Sequence, residues 1–173
     1  MKVKAALYVA VMGALGDILT LFAIPVGPNT HINLYVLPAV LVGSTSGWFL
    51  GGLAGAIGGL YTIVLWGQPY SIVYGFLLGS FTGVFCQKAG LRPFVSGILA
   101  HILTLPWLYF SLVHLVGSPL PVFYLGMGTM VLQLVAALAI TEGIMAVPAL
   151  KKRILKVEIT RRIGGFLGHP WAE

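Results

Sequence analysis

Charged side chains are scarce in this sequence: Asp, Glu, Lys and Arg make up only 8% of its 173 residues. A soluble domain carries about 25% of such residues. Between residues 5 and 87 the only charged side chain is Asp17, and between residues 93 and 150 the only one is Glu142. Because 58% of the residues are hydrophobic, the shortage excludes an ordinary soluble domain and predicts an integral membrane protein.

Cysteine and catalytic motifs are also scarce. Cys86 is the only cysteine, so no disulfide or cysteine zinc site can form within the chain. The patterns H-E-x-x-H, G-x-S-x-G and G-x-x-x-x-G-K-[ST] do not occur. The four histidines are scattered. We therefore expect no catalytic site, no metal site, no cofactor and no ATPase activity of the chain's own.

Long apolar segments fill the rest of the chain. A spanning helix needs about 20 apolar residues, with a range of about 17–25. Glycine, proline and polar breaks predict six such helices, at 5–24, from 31 to a break at 43–47, 48–66, 70–87, 93–116 and 120–149. The second helix is short, and Pro106 predicts a kink in the fifth. The predicted fold is an all-α membrane domain over residues 1–150.

The basic residues predict the orientation of this domain. They form three clusters, at 2–4, 88–92 and 151–162. With six spans all three clusters fall on one side, which the positive-inside rule assigns to the cytoplasm. Both termini are thus expected to be cytoplasmic in a multi-pass protein of the cell membrane. The uncharged loops at 25–31, 67–69 and 117–120 then face outward.

The last 23 residues, 151–173, form a separate basic tail with intermittent apolar residues. This pattern favours an amphipathic helix on the inner membrane surface. A solvated positive-inside anchor and a docking segment for another subunit remain alternatives.

The stretch at 24–35, IPVGPNTHINLY, is the longest polar interruption in the membrane domain. Its two prolines disfavour a helix, so we predict a loop. The outer ends of the predicted helices also hold most of the aromatic and hydrogen-bonding side chains. This asymmetry predicts an outward-facing pocket for a small ligand, with an uneven aromatic belt as the alternative.

Ionisable residues within the spans are costly and need a role. Asp17 can accept a structural hydrogen bond, pair with a histidine, cap the start of the second helix or contact a cationic ligand. His101 and Glu142 are expected to lie at similar depth in the inner half of the bundle, where they can pair as a structural or a coupling element.

Small residues recur every fourth position on three helices, and such stripes let membrane helices approach closely. Two stripes predict internal packing, namely Gly47/Gly51/Gly55/Gly59 and Gly75/Gly79/Gly83. The third stripe, Ala6/Ala10/Ala14, predicts either packing within the bundle or a docking face for another membrane subunit.

These features resemble the substrate-binding S component of energy-coupling factor (ECF) vitamin transporters. The resemblance covers residues 1–150. It depends on the alanine stripe, on the 25–31 loop and on the glycine-rich segment LVGSTSGWFLGGLAGAIGGLY.

The resemblance implies a high-affinity binding subunit that works with a membrane T subunit and two cytoplasmic ATPases. It implies docking through Ala6, Ala10 and Ala14, and a gate at residues 25–33. The implied substrate-binding residues are His31, Asn33, Gln68, Tyr70, Tyr74, Trp107, His114, Tyr124 and Gln133. The outer half contains no Lys or Arg, which favours a neutral or cationic heterocycle such as thiamine or a pyrimidine precursor.

Two other functions remain open at this stage. An autonomous secondary transporter or channel, acting as an oligomer, would use Asp17 and Glu142 as coupling groups. An intramembrane enzyme or assembly scaffold finds less support, because the catalytic motifs are missing.

Overall fold

The structure is a computed structural model that describes residues 3–27 and 30–147, with only the backbone of Gly27 and Thr30. The predicted basic tail at 151–173 and the predicted end of the sixth helix at 148–149 lie outside the described residues, as do residues 28 and 29 of the predicted gate.

Helices dominate the described residues, with one short β-hairpin. In chain order the elements are α1 Val3–Leu21, β1 Ile24–Gly27, β2 Thr30–Ile32, α2 Leu37–Ser46, α3 Trp48–Gly58, α4 Leu60–Trp66, α5 Tyr70–Lys88, α6 Pro93–Tyr109, a π-helical turn Phe110–Leu115, and α7 Leu120–Ala146. The π-helical turn begins four residues after Pro106, inside the predicted fifth helix.

Five apolar helices are long enough to cross a bilayer by length and composition, at 3–21, 48–66, 70–88, 93–115 and 120–146. The second of these spans comprises α3 and α4, which join at Gly59, and the fourth comprises α6 and the π-helical turn. The prediction of a multi-pass helical membrane protein is therefore confirmed.

The prediction of a helix from residue 31 was wrong, because α2 starts only at Leu37 and has 10 residues. At 1.5 Å per residue it is about 15 Å long, which is roughly half the hydrocarbon thickness. His31 and Ile32 are instead extended, because they pair antiparallel with Pro25 and Ile24 of β1. The hairpin was not predicted, since its prolines indicated only a loop.

The segment from β2 to the end of α2 nevertheless connects the two ends of the bundle. β2 lies beside the start of α5, whereas Gly47, directly after α2, lies beside Gln87 at the other end of α5. Almost every residue of α2 is buried. Its interior position is compatible with the non-helical residues before α2, since irregular backbone at membrane depth is tolerated where protein surrounds it.

Glycines bring α2, α3 and α5 into backbone contact. A Cβ atom built on Gly55 would collide with the carbonyl of Gly75, and one built on Gly79 would collide with the carbonyl of Gly51. Gly43 of α2 lies against the carbonyl of Gly79. Internal packing, the role predicted for both glycine stripes, is confirmed.

The alanine stripe of α1 lies about 100° around the helix from its packed side, because each alanine directly follows a packed residue. Ala5, Val9 and Gly13 on the packed side are buried, and this side lies against α3. Ala10 and Ala14 are exposed, and Ala6 is half-buried. Within the described part of the chain, Ala10 and Ala14 therefore do not serve helix packing.

Candidate ligand-binding site

A cavity of about 390 Å³ lies at one end of the bundle. Its size falls within the range of small-molecule sites, about 300–1,000 Å³. Four parts of the chain form its walls: β2 with the residues that follow, the turn from α4 to α5, the π-helical turn with the loop after it, and the first half of α7. All three connections predicted to face outward therefore meet at this cavity.

Five of the nine predicted binding residues line the cavity, namely His31, Asn33, Gln68, Tyr70 and Gln133. They come from three separate walls. Their proximity follows from the fold, because residues 31 and 133 are far apart in the sequence.

Two further predicted residues, Tyr74 and Trp107, lie beneath the cavity rather than in it. The indole Nε1–H of Trp107 donates to the backbone carbonyl of Tyr70 at 3.4 Å. The hydroxyl of Tyr74, a residue that is 2% exposed, forms a hydrogen bond with Nδ1 of His101 at 3.0 Å. Both side chains support the cavity floor, where Tyr70 packs.

The last two predicted residues, His114 and Tyr124, lie outside the cavity. Tyr124 is 67% exposed, and its ring packs edge-on against Phe123, which does line the cavity. His114 is also exposed, and its ring packs against Tyr109 and Phe110. The depth of a residue in the membrane could be predicted, but not the direction in which its side chain points.

Sequence reasoning missed several cavity residues, among them Trp66, Ser71, Phe123 and Thr129. A signal for the α7 residues was available. The spacing of residues 126, 129, 130 and 133 places them on one helical face, and Thr129 and Gln133 are the polar residues of this face. Trp66 is the last residue of α4, directly before the predicted turn.

Hydrogen bonds and stacking already order the walls. The amide Nε2–H of Gln133 donates to the carbonyl oxygen of His31 at 2.6 Å. The imidazole of His31 stacks on the indole of Trp66, with centroids 4.6 Å apart and planes inclined by 10°. Asn33 Oδ1 accepts the backbone N–H of Tyr35 at 3.2 Å, an Asx-type turn that shapes the chain before α2.

The lining contains aromatic, amide and hydroxyl groups but no Asp, Glu, Lys or Arg among the described residues. A cavity of this kind can stack a planar ring and satisfy its polar edge with neutral hydrogen bonds. A cationic ligand would find no carboxylate there. Burial of such a ligand without a partner would be unfavourable.

The two acidic side chains of the spans lie outside the cavity. Each accepts a hydrogen bond from a backbone N–H in the first turn of a helix. Asp17 Oδ1 accepts the backbone N–H of Tyr61, in the first turn of α4, at 3.0 Å. Glu142 Oε1 accepts the backbone N–H of Phe94, in the first turn of α6, at 3.2 Å. Free N–H groups at a helix start favour a negative partner.

These contacts decide between the roles considered for Asp17 and correct one expectation. Asp17 does accept a structural hydrogen bond, but it caps α4 and not the start of the second helix. The predicted pair of His101 and Glu142 is wrong, because His101 bonds to Tyr74 and Glu142 bonds to the backbone of α6. In residues 3–27 and 30–147, no three His, Cys, Asp or Glu side chains gather as metal ligands would.

No family model, no curated protein and no solved structure matches this chain. Its helices and their composition make it a multi-pass helical membrane protein.

Proposed function

We propose that the chain is the substrate-binding membrane subunit of an ECF-type ABC importer for a vitamin or related small heterocycle. The observation that carries the proposal is the uncharged cavity at the end of the bundle where the three uncharged connections meet. The sequence resemblance described above supplies the transporter class.

The charge distribution supports an outward position for this cavity. α1 runs for 19 residues, about 28 Å, from Lys4 to the hairpin that lines the cavity. Lys88, the last residue of α5, and Arg92, directly before α6, lie at the far end of α5 from the cavity residue Tyr70. Under the positive-inside rule the basic end faces the cytoplasm, and the cavity opens on the other side of the cell membrane.

The cavity favours a neutral ring over a charged one. The rings of Trp66, Tyr70 and Phe123 offer stacking surfaces, and side-chain amides of Asn33, Gln68 and Gln133 are near them. A pyrimidine-like ligand fits this chemistry better than thiamine. The permanent cation of thiamine would have only aromatic faces as partners.

The exposed alanines of α1 support a docking role. Ala10 and Ala14 leave a shallow face on which the helix of a T subunit can pack closely. In the proposal this T subunit connects the chain to two cytoplasmic ATPases. The chain itself binds and releases its substrate and catalyses no reaction.

Two measurements test the proposal. Native mass spectrometry of the purified protein should find a co-purified small molecule. Affinity purification from the native host should recover an ATPase and a second membrane protein, both identified by mass spectrometry. Ala10→Trp should abolish recovery of the partners and leave the co-purified molecule in place.

Ala136→Trp is the matched control, because Ala136 is an exposed alanine on α7. It should leave both results unchanged. If wild-type protein recovers no ATPase, or if Ala10→Trp recovers as much as wild type, the importer assignment is wrong. If the protein, reconstituted without partner subunits, accumulates substrate under an ion gradient, the secondary-transporter alternative is correct.

The structure gives little support to the secondary-transporter alternative. It requires Asp17 and Glu142 to exchange protons or ions, yet each carboxylate is bound to the backbone at a helix start. Neither residue lines the cavity.

A further inference from the structure

The hairpin beside the cavity is only weakly stabilised by the pairing of its own two strands. Its strands have only 4 and 3 residues, and the register is interrupted between Pro25 and Gly27. Pro25 has no N–H to contribute to the ladder. An isolated two-stranded hairpin is marginally stable at best, so contacts with the helices must determine where this one lies.

Two such contacts lie at residue 31. On one side, the amide of Gln133 on α7 donates to the backbone carbonyl of His31 at 2.6 Å. On the other side, the His31 ring stacks on Trp66 at the end of α4. Since all three residues line the cavity, β2 is held between two of the cavity walls.

The hydrogen bond is the more specific of the two contacts. Gln133 is only 5% exposed, so water does not compete freely for its amide. The acceptor is a main-chain carbonyl, and the bond therefore fixes the strand itself and not merely one side chain.

We propose that Gln133 is a positioning residue that holds the hairpin against the cavity. Its side chain lines the cavity and its amide holds β2, so a ligand in contact with Gln133 would also act on the hairpin. This last consequence rests on the proposed function, whereas the positioning role does not.

Hydrogen–deuterium exchange of the full-length protein in nanodiscs, after removal of any co-purified molecule and with no ligand added, tests the role. Gln133→Met preserves the size of the side chain and removes its donor. The peptide that contains Thr30–Ile32 should exchange about fivefold faster, as expected for loss of one hydrogen bond. Peptides from α2 and α5 should keep their wild-type rates.

Gln68→Met is the matched control, because Gln68 lines the same cavity but its side chain makes no described hydrogen bond to β2. This variant should leave the exchange of β2 unchanged. Equal acceleration in both variants would overturn the proposal, and so would wild-type exchange of β2 in Gln133→Met. Faster exchange spread over α2 and α5 would indicate general loosening and would also contradict it.

Gln133→Glu adds a readout that a merely structural role would not give. A protonated carboxyl can donate to the His31 carbonyl, whereas an ionised one cannot. After correction for intrinsic rates, β2 should exchange at the wild-type rate at low pH and faster at high pH. Absence of this pH dependence counts against the role, and failure to find any ligand would count only against the proposed function.

Discussion

Asp17 on α1 accepts the backbone N–H of Tyr61 at 3.0 Å, close to the point where the glycine-rich span at 48–66 is interrupted. The two residues are 44 positions apart. The interruption at Gly59 divides this span into α3 and α4, and it leaves amides at the start of α4 that need acceptors. An intramembrane carboxylate thus has a structural use.

Replacing Asp17 tests this use. Asp17→Leu should destabilise the protein by about 1–2 kcal/mol, because the Tyr61 amide loses its acceptor. Asp17→Asn retains an oxygen acceptor and should cost less than half as much. Equilibrium unfolding in mixed SDS–detergent micelles measures both. Equal losses in the two variants would show that the charge of Asp17, and not its hydrogen bond, stabilises the fold.

The contact of Gly55 with Gly75 makes a second prediction. Gly55→Ala should destabilise the protein by about 1–3 kcal/mol, because the added methyl group forces two backbones apart. Gly143→Ala is the control, since a Cβ there would meet nothing within 4 Å. That change should be neutral or stabilising by up to about 1 kcal/mol. The same unfolding assay applies, and an unaffected Gly55→Ala variant would contradict close packing of α3 on α5.

A third prediction concerns the difference between residues that line the cavity and residues on the surface. Gln68→Ala should reduce retention of the co-purified molecule about tenfold, as expected for loss of a buried hydrogen bond. Tyr124→Ala, at an exposed site that was also predicted to bind substrate, should retain it fully. Native mass spectrometry gives the ratio of molecule to protein. The reverse order of effects would place the ligand outside this cavity.

The hydrogen bond between Tyr74 and His101 makes a fourth prediction. Tyr74→Phe leaves Nδ1 of the buried His101 without its partner and should cost about 1–3 kcal/mol of stability. Retention of the co-purified molecule should not change, because Tyr74 does not line the cavity. Reduced retention at unchanged stability would instead make Tyr74 a binding residue.

The ends of the long helices could be predicted because polar breaks mark them. Gly67, Gln68 and Pro69 end one span and begin the next, and the structure places the boundaries at Trp66 and Tyr70. The start of α2 could not be predicted in this way. An apolar stretch after His31 is compatible with an extended chain as well as a helix, and pairing with β1 decided between them.

The partners of Glu142 and the orientation of His114 show a second limit. Hydropathy and charge give the depth of a residue in the membrane, but not the rotation of its helix. His101 and Glu142 could therefore be placed at similar depth, although they have different partners. The same limit explains why His114 and Tyr124 were predicted to reach a cavity that their side chains do not line.

The short helix α2 has a consequence for biogenesis. A ten-residue helix gives the insertion machinery too little apolar length for release into lipid by itself. The backbone before it would also be left without hydrogen-bond partners there. We therefore expect α2 to enter the bilayer together with α3, whose glycines receive it, so that assembly of the bundle centre and membrane insertion are a single event.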